Sequence, residues 1–406
     1  MTAPATSRVP GTPGLLRTIN DRAALELLLD VGPLTRSQIG DRTGVSRPTA
    51  SQIVARLEQS GLIEPTGSVQ GARGPQATQY AARTDVVVGL ALDVVPGGVR
   101  ASVVDALGRT LGETTVAAGP ERSAAADVLA ARDEACADAG IPVSRVATAV
   151  VGVQAAVAPR TGDIALVGEL PGWPRRGLRA HLEDALGIDV HVENDVNLAA
   201  IAERDAGRDE ESFALLWLGE GIGMGAWLEG RVHHGTAGGA GEIGYLPVPA
   251  AGIDDSVNVQ DLVGGLRLVE LCARAGVPGI TEAGSSYGDA VAALAAHRDS
   301  AAVHDLVQDL ALRVAIVLQP VVPHRPPDPG ARAAPTGVPG GAPLADATAA
   351  VRRGTAQRTG AVVASAVPEL AVLRGARSVV AEDVRTLLLA AAGRPDHPVV
   401  APSVPG

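Results

Sequence analysis

Apolar residues in the first 84 positions recur at helical spacing in three short blocks. From Thr18 to Val31, Leu25, Leu28 and Leu29 fall on one side of a predicted helix that Gly32-Pro33 ends. Thr35-Arg36-Ser37-Gln38 fits a capping box, in which the Thr hydroxyl takes the third amide while Gln38 reaches back. The helix it opens is short, turns Ile39 inward and stops at Thr43-Gly44-Val45. Ser46 can cap a third helix, and Pro48 is tolerated in its first turn because no helical amide partner is lost there. Ala50, Ile53, Val54 and Leu57 then fall at i, i+3, i+4 and i+7, an inward stripe that leaves Arg47, Thr49, Ser51, Gln52 and Arg56 facing out. Gly61 ends this helix. Leu62-Ile63-Glu64 and Ala77 to Ala81 read as two strands around a tip, Gly67 to Pro75, that carries Arg73. Helix, glycine-bearing turn, helix and wing form a winged helix-turn-helix pattern. An ordinary helical hairpin with a solvated polar face would show the same third helix, but not the turn and the wing with it.

From Asp85 the spacing changes to runs of strand. Val86 to Val95 and Gly98 to Val104 are two, and Asp105-Ala106-Leu107-Gly108 turns into a third around Val116. A helix over Ala124 to Gly140 and a strand over Val146 to Val153 follow. Three antiparallel strands, then helix and strand, predict an α/β lobe of ribonuclease-H-like type. Further on come a helix Leu178 to Leu186, a strand Val190 to Glu193, a helix Asn194 to Ala206, strands Phe213 to Leu218 and Gly225 to Leu228, and a helix Ala302 to Leu318. After it, residues 319–343 hold eight prolines, which cannot donate strand hydrogen bonds and predict polyproline-like or irregular chain.

Charge sharpens this division. The chain of 406 residues carries a net charge of −11, which argues against a protein that coats nucleic acid along its whole length. Yet residues 1–84 hold nine Arg against six acids, while the remainder holds 25 Arg against 39 acids. A small basic module on a large acidic body is the distribution of a DNA-binding head with a separate sensing or catalytic domain. The expected division is therefore 1–84 and 85–406. Aromatics make up only 2%, which disfavours base-stacking on aromatic platforms. Two cysteines, Cys136 and Cys272, support neither a disulfide framework nor a thiolate zinc site. No apolar run has the length of a membrane span and Met1 to Gly14 is not a signal peptide, so a cytoplasmic location without membrane contact is expected.

Five pieces in order then make the chain recognisable: Val151-Gly152-Val153 through Thr161-Gly162; Leu170-Pro171-Gly172-Trp173; Val192-Glu193-Asn194-Asp195-Val196-Asn197; Gly219-Glu220-Gly221-Ile222-Gly223-Met224-Gly225; and Ala240-Gly241-Glu242-Ile243-Gly244. In order and spacing they resemble the ROK family (repressors, open reading frames, sugar kinases) over about residues 85–275, and the head resembles that of its xylose- and N-acetylglucosamine-type repressors. The resemblance implies an actin-like fold of two ribonuclease-H-like lobes with sugar in the cleft.

Within that resemblance the residues speak against a kinase. Asp195 matches the family's catalytic carboxylate, but the first phosphate loop, family Asp-x-Gly-Gly-Thr, is here Asp93-Val94-Val95-Pro96-Gly97. In the second loop Gly-Thr-Gly has become Gly219-Glu220-Gly221, and a carboxylate there would repel a triphosphate by about 1–4 kcal/mol. The proline-rich stretch 319–343 stands where the family has a buried strand beside adenosine. It reads as a loop insertion or as a local frame error in the gene, since Gly340-Gly341-Ala342-Pro343-Leu344 is family-like again.

The resemblance also implies a sugar site at Asn194, Asp195 and Glu242, residue types that read paired hydroxyls well. Asp195, between strand and helix, is equally placed to cap the helix, and Glu242 could be a solvated loop carboxylate. The family's histidine after Glu-x-Gly is Tyr245 here, and the cysteines of its structural zinc are missing from Pro247 to Asn258. No metal and no cofactor are therefore expected, His233-His234 reading as a surface pair. Gln260 stands at or near a sugar-contacting Glu of the family. The reading is a winged helix-turn-helix transcriptional regulator of repressor type that binds double-stranded DNA and a sugar effector, as a homodimer or larger oligomer. The alternatives are a sugar kinase with an added head and a regulator that has lost its sugar. DNA contact is expected from Arg47, Thr49, Ser51, Gln52, Arg56 and Arg73.

Overall fold

The computed structural model describes residues 13–69, 76–119, 122–166, 170–208, 210–248, 258–318 and 365–392. The head comprises α1 (Pro13–Val31), β1 (Leu34–Thr35), α2 (Arg36–Thr43), α3 (Arg47–Gln59), β2 (Ile63–Val69) and β3 (Ala77–Ala82). The capping box of α2 forms as its residues dictate: Gln38 N donates to Thr35 Oγ1 at 3.3 Å and Thr35 N donates to Gln38 Oε1 at 2.8 Å. Gly44, left-handed with φ of 71°, ends α2, and the Ser46 hydroxyl caps α3 by accepting from Thr49 N. Leu25, Leu28, Ile39, Ile53, Val54 and Leu57 are buried together, the stripe that the apolar spacing predicts. Two features differ from expectation. α1 begins at Pro13 rather than Thr18. Leu34–Thr35 pairs antiparallel with β3, so the wing belongs to a three-stranded sheet of order β1-β3-β2; Leu34 is buried there opposite Tyr80, a long-range pairing that local spacing does not reveal.

The body opens with β4 (Val88–Val95), β5 (Gly98–Val104), β6 (Thr110–Ala117), α4 (Ala124–Ala139) and β7 (Val146–Val153). The short strands β8 (Ala156–Val157) and β9 (Ile164–Ala165), then α5 (Leu178–Leu186) and β10 (Asp189–Asn194), complete the first lobe. Its sheet has the order β10-β7-β4-β5-β6, parallel across β10, β7 and β4 and antiparallel across β4, β5 and β6. That is the ribonuclease-H-like arrangement. Leu90, Leu92, Val151 and Val153 pack towards α4 and α5, whereas Ala91 and Val150 pack on the opposite face. Burial on both faces explains why these strands are almost continuously apolar.

α6 (Asp195–Asp205) leads into the antiparallel strands β11 (Phe213–Leu218), β12 (Ile222–Leu228) and β13 (Arg231–Val232), followed by α7 (Val259–Val263), α8 (Gly265–Arg274), α9 (Tyr287–Ala296) and α10 (Ala301–Leu318). The proline-rich stretch 319–343 lies outside the described residues. A last helix, α11 (Ala371–Ala391), has no counterpart in the sequence reading. It lies on the sheet face opposite α4, with Val372, Leu373, Ala376 and Val380 buried against Ala91, Val150 and Leu198 of α6. A Cβ on Gly375 would sit 1.8 Å from Leu198 O, so only glycine lets α6 and α11 touch backbone to backbone. The other end of α11 enters the head: Val384, Leu388, Leu389 and Ala392 share one apolar cluster with Leu25, Leu28 and Leu57. Head and body therefore share a core across residue 84. Among the described residues no helix is long and apolar enough to cross a membrane.

Candidate functional site

On α3 the side chains of Arg47, Ser51 and Gln52 are exposed, and Thr49 is half-buried with its hydroxyl 2.9 Å from Ser46 Oγ. Arg56 corrects the expectation that it faces out. Its Nε and Nη2 donate to Asp21 Oδ2 at 2.8 Å and Oδ1 at 2.5 Å, a bidentate clamp from α3 to a buried carboxylate of α1. The same hydrogen bonds raise the pKa of the guanidinium. Arg36, which sequence reasoning passed over, lies with its guanidinium 5.1 Å from the centre of the Tyr80 ring and bonded to the Tyr80 hydroxyl. Arg73 lies outside the described residues.

The second candidate site forms where β10 meets α6. Asn194, not Asp195, caps the helix: its Oδ1 accepts from Asn197 N at 3.0 Å, while its Nδ2 donates to Ala155 O at 3.0 Å. Both ends of this side chain are thus engaged by the backbone. Asp195 is buried, accepts from Val196 N at 2.8 Å, and has its pKa pushed up to about 7. Burial is the main cause, with repulsion from Asp93 and Glu242 added to it. Asp93 on β4 and Glu242, in the loop before the short turn Ile243–Tyr245, thus each lie near enough to Asp195 to repel its charge. Asp93 is buried beside Arg100, whose Nη1 donates at 3.0 Å, and burial raises its carboxyl pKa against the pull of that cation. Glu242 is half-buried and raised by burial. It is held in place by Gly241, which has φ of 91° and lies so close to β12 that a Cβ would sit 1.8 Å from Met224 O.

The turn after Asp93 is fixed from outside. Arg122 donates to Val95 O at 3.0 Å, Pro96 O at 2.8 Å and Gly98 O at 3.1 Å. Glu220 is exposed in the second glycine turn, and Gln260 is spent on that turn rather than free for a sugar: its Nε2 donates to Glu220 O and its Oε1 accepts from Ile222 N, both at 2.9 Å. Tyr245 is exposed and its hydroxyl reaches Leu166 O at 3.5 Å. With Tyr245 in place of histidine and no cysteine nearby, the donor set does not fit the family's structural zinc. His234 is not half of a surface pair: it is half-buried, with Nε2 2.7 Å from Oε2 of the buried Glu193. The two residues are 41 positions apart, a contact no local pattern signals.

Residues 98–261 match the profile of the ROK family, and residues 15–74 match that of the MarR family. The chain is similar to the xylose repressor of Caldicellulosiruptor bescii, at 22% identity over 59% of this chain and 61% of that one. It is similar to an uncharacterized protein of Clostridium perfringens at 36% identity over 28% of this chain and 39% of that one. It thus spans less than two thirds of the length of these relatives. Among solved structures, a ROK family transcriptional regulator, a homolog of the Escherichia coli MLC protein, superposes with a TM-score of 0.62 at 20% identity, covering 92% of this chain and 99% of that one. The ROK hexokinase of Thermus thermophilus superposes with a TM-score of 0.55 at 23% identity, covering 74% of this chain and all of that one. At these identities the superpositions establish the fold.

Proposed function

Because the chain carries a ROK family domain behind a MarR-type winged helix-turn-helix, we propose that it is a DNA-binding transcriptional regulator, a repressor of carbohydrate genes whose body senses a sugar. The observation that carries this reading is the shared core: the helix that packs on α6, behind the carboxylate site, also completes the core of the DNA-binding head. Arg47, Thr49, Ser51 and Gln52 lie along the start of α3, where a recognition helix meets base edges in the major groove. The sugar is read by Asp195 and Glu242, with Asn194 setting the helix terminus between them. In this reading the protein is cytoplasmic and works as a homodimer, since paired half-sites match a two-fold symmetric protein. Selection of bound duplexes from a random library tests it. A recovered motif that loses affinity when Arg47 is replaced supports the reading, and recovery of no sequence preference overturns it.

Two residues support a regulator rather than an enzyme. Pro96 removes an amide from the first phosphate turn, and Glu220 places a carboxylate in the second. One observation favours the kinase reading: Asp195, with a pKa of about 7, is poised as a general base for a sugar hydroxyl. ATP-dependent phosphorylation of xylose, glucose or N-acetyl-D-glucosamine well above a protein-free control would establish that alternative.

A further inference from the structure

The stretch from His233 to Glu242 is a glycine-rich loop closed on itself. His233 N donates to Ala226 O at 2.8 Å, and Ala240 N donates to His234 O at 3.1 Å, so His234 forms the base of the loop. Glu242 leaves from its other end. Across from this base, Glu193 projects from β10 one residue before Asn194 and two before Asp195. Glu193 is 4% exposed and collects four donors. Its Oε1 accepts from Asn194 N at 2.9 Å and Asn197 Nδ2 at 3.0 Å, which fixes it to the start of α6. Its Oε2 lies 2.7 Å from His234 Nε2 and 3.4 Å from His191 Nε2.

We propose that His234 is a positioning residue: through Glu193 it pins the loop that ends in Glu242 to the strand end that carries Asn194 and Asp195, and so sets the separation of the two halves of the candidate sugar site. The proposal rests on the sugar-sensing reading for the identity of the ligand, but the tether itself does not. The other backbone hydrogen bonds of the loop, among the described residues, join it to itself or to β12, and Gly238 packs closely on Val157, so the buried Glu193, held by four donors, supplies the hydrogen-bonded link from His234 to the start of α6.

The tether has a built-in pH response. Burial works against the charge on Glu193, yet hydrogen bonds from His191, His234 and Asn197 hold its carboxyl at about 2, so it stays anionic. The bond to Glu193 in turn raises the pKa of His234. Below that raised pKa the pair is charge-assisted; above it a neutral imidazole still donates from Nε2 without the ionic contribution. The loop should therefore loosen as pH rises. Solvent reaches His234 through a cavity of about 830 Å³. The other charged and titratable groups around that cavity are His191 on β10, Arg204 on α6, Arg231 and His233 at β13, and Glu382 on α11. Arg204 is itself paired with Asp205 at 2.5 Å, and Asp383, half-buried and raised mainly by burial, feels His191, Glu382 and Asp189.

The test is hydrogen exchange on the full chain, comparing wild type with His234→Ala and His234→Gln. Gln keeps a donor near the same place but cannot titrate. Exchange of residues 235–246, corrected for intrinsic rate, should rise about tenfold in His234→Ala while the sheet stays protected, and His234→Gln should stay close to wild type. Between pH 6 and 8.5 the loop of wild type should lose protection and that of His234→Gln should not. Unchanged protection in His234→Ala, or a glutamine variant as loose as the alanine one, overturns the tether. Calorimetry with xylose, glucose and N-acetyl-D-glucosamine supplies the second arm. Where a sugar binds wild type, His234→Ala should weaken it about tenfold, and equal binding overturns the positioning role. Where none binds wild type, the sugar-sensing reading fails while the exchange experiment still decides the tether.

Discussion

Arg385 Nη2 donates to Asp30 Oδ1 at 2.6 Å, joining the last described helix of the body to the first helix of the head across 355 sequence positions. Both side chains are more than a quarter exposed, so the pair itself contributes little. It marks a joint whose strength is apolar, from Val384, Leu388 and Leu389, which share one cluster with the residues of α1. The other end of α11 is anchored as firmly. The buried Glu203, near the end of α6, accepts from Ser365 Oγ and from Ala366 N and Val367 N, both at 3.2 Å. Asp195 begins that same α6. A change in how the carboxylate site holds α6 therefore has a continuous packed route, through α11, to the helices that would lie on DNA.

The joint predicts shared stability. Leu388→Ala removes a fully buried side chain from the common cluster and should destabilise the whole chain by about 2–5 kcal/mol, with head and body still unfolding in one transition. Arg385→Ala should cost less than about 1 kcal/mol. Denaturant titration followed by circular dichroism checks both. An unchanged midpoint for Leu388→Ala would contradict the shared core.

Two arginines of α3 should behave differently. Arg47→Ala should cost roughly 1–3 kcal/mol in operator binding and relax preference at one base position. Arg56→Ala should act through the fold instead: it leaves Asp21 buried without its partner, which should lower stability by about 1–3 kcal/mol, since Arg56 itself is partly exposed. Operator affinity and melting temperature measured on both variants separate the two effects.

Asp195 gives a pH signature with a definite sign. Its folded pKa of about 7 stands above the ordinary 3.8, so the unfolded chain releases this proton first and stability falls as pH rises from about 4 to about 7. Asp195→Asn removes that penalty. Its melting temperature should approach or fall below wild type near pH 4 and exceed it at pH 8, the gap corresponding to on the order of 2–4 kcal/mol. Parallel curves across this range would show that Asp195 is not held neutral by burial.

The kinase question has its own outcome. No hexose should be phosphorylated from ATP above background, and Glu220→Thr alone should not restore turnover, because Pro96 still lacks its amide. A coupled assay of ADP release on wild type and variant checks this.

Much of the fold was legible because local physics decides it. The capping box at Thr35, the cap at Ser46, the stripe from Ala50 to Leu57 and the doubly buried strands each need only neighbours in sequence. What stayed hidden is what long-range partners decide. Arg56 has the spacing of an outward residue until Asp21 claims it. Asn194 rather than Asp195 caps α6, because Ala155 O, in the bend between β7 and β8, fixes the asparagine amide. His234 looks like surface without Glu193, and Gln260 like a sugar contact until the Glu220 turn takes both its ends. α11 is rich in alanine and lacks aromatics, and its partners on β4, β7 and α1 lie hundreds of positions away.

Whether the carboxylate site governs the winged head is tested most directly by one titration. Fluorescence anisotropy of a selected duplex, with and without xylose, glucose or N-acetyl-D-glucosamine, would be measured on wild type, Asp195→Asn and Glu242→Ala. A sugar acts on DNA affinity only through its different affinity for the DNA-bound and free arrangements, typically about 5–150-fold. The account predicts a shift of that size for at least one sugar on wild type, near-normal affinity of both variants without sugar, and no shift in either variant. A wild type that no sugar moves, or variants that respond as wild type does, would contradict it.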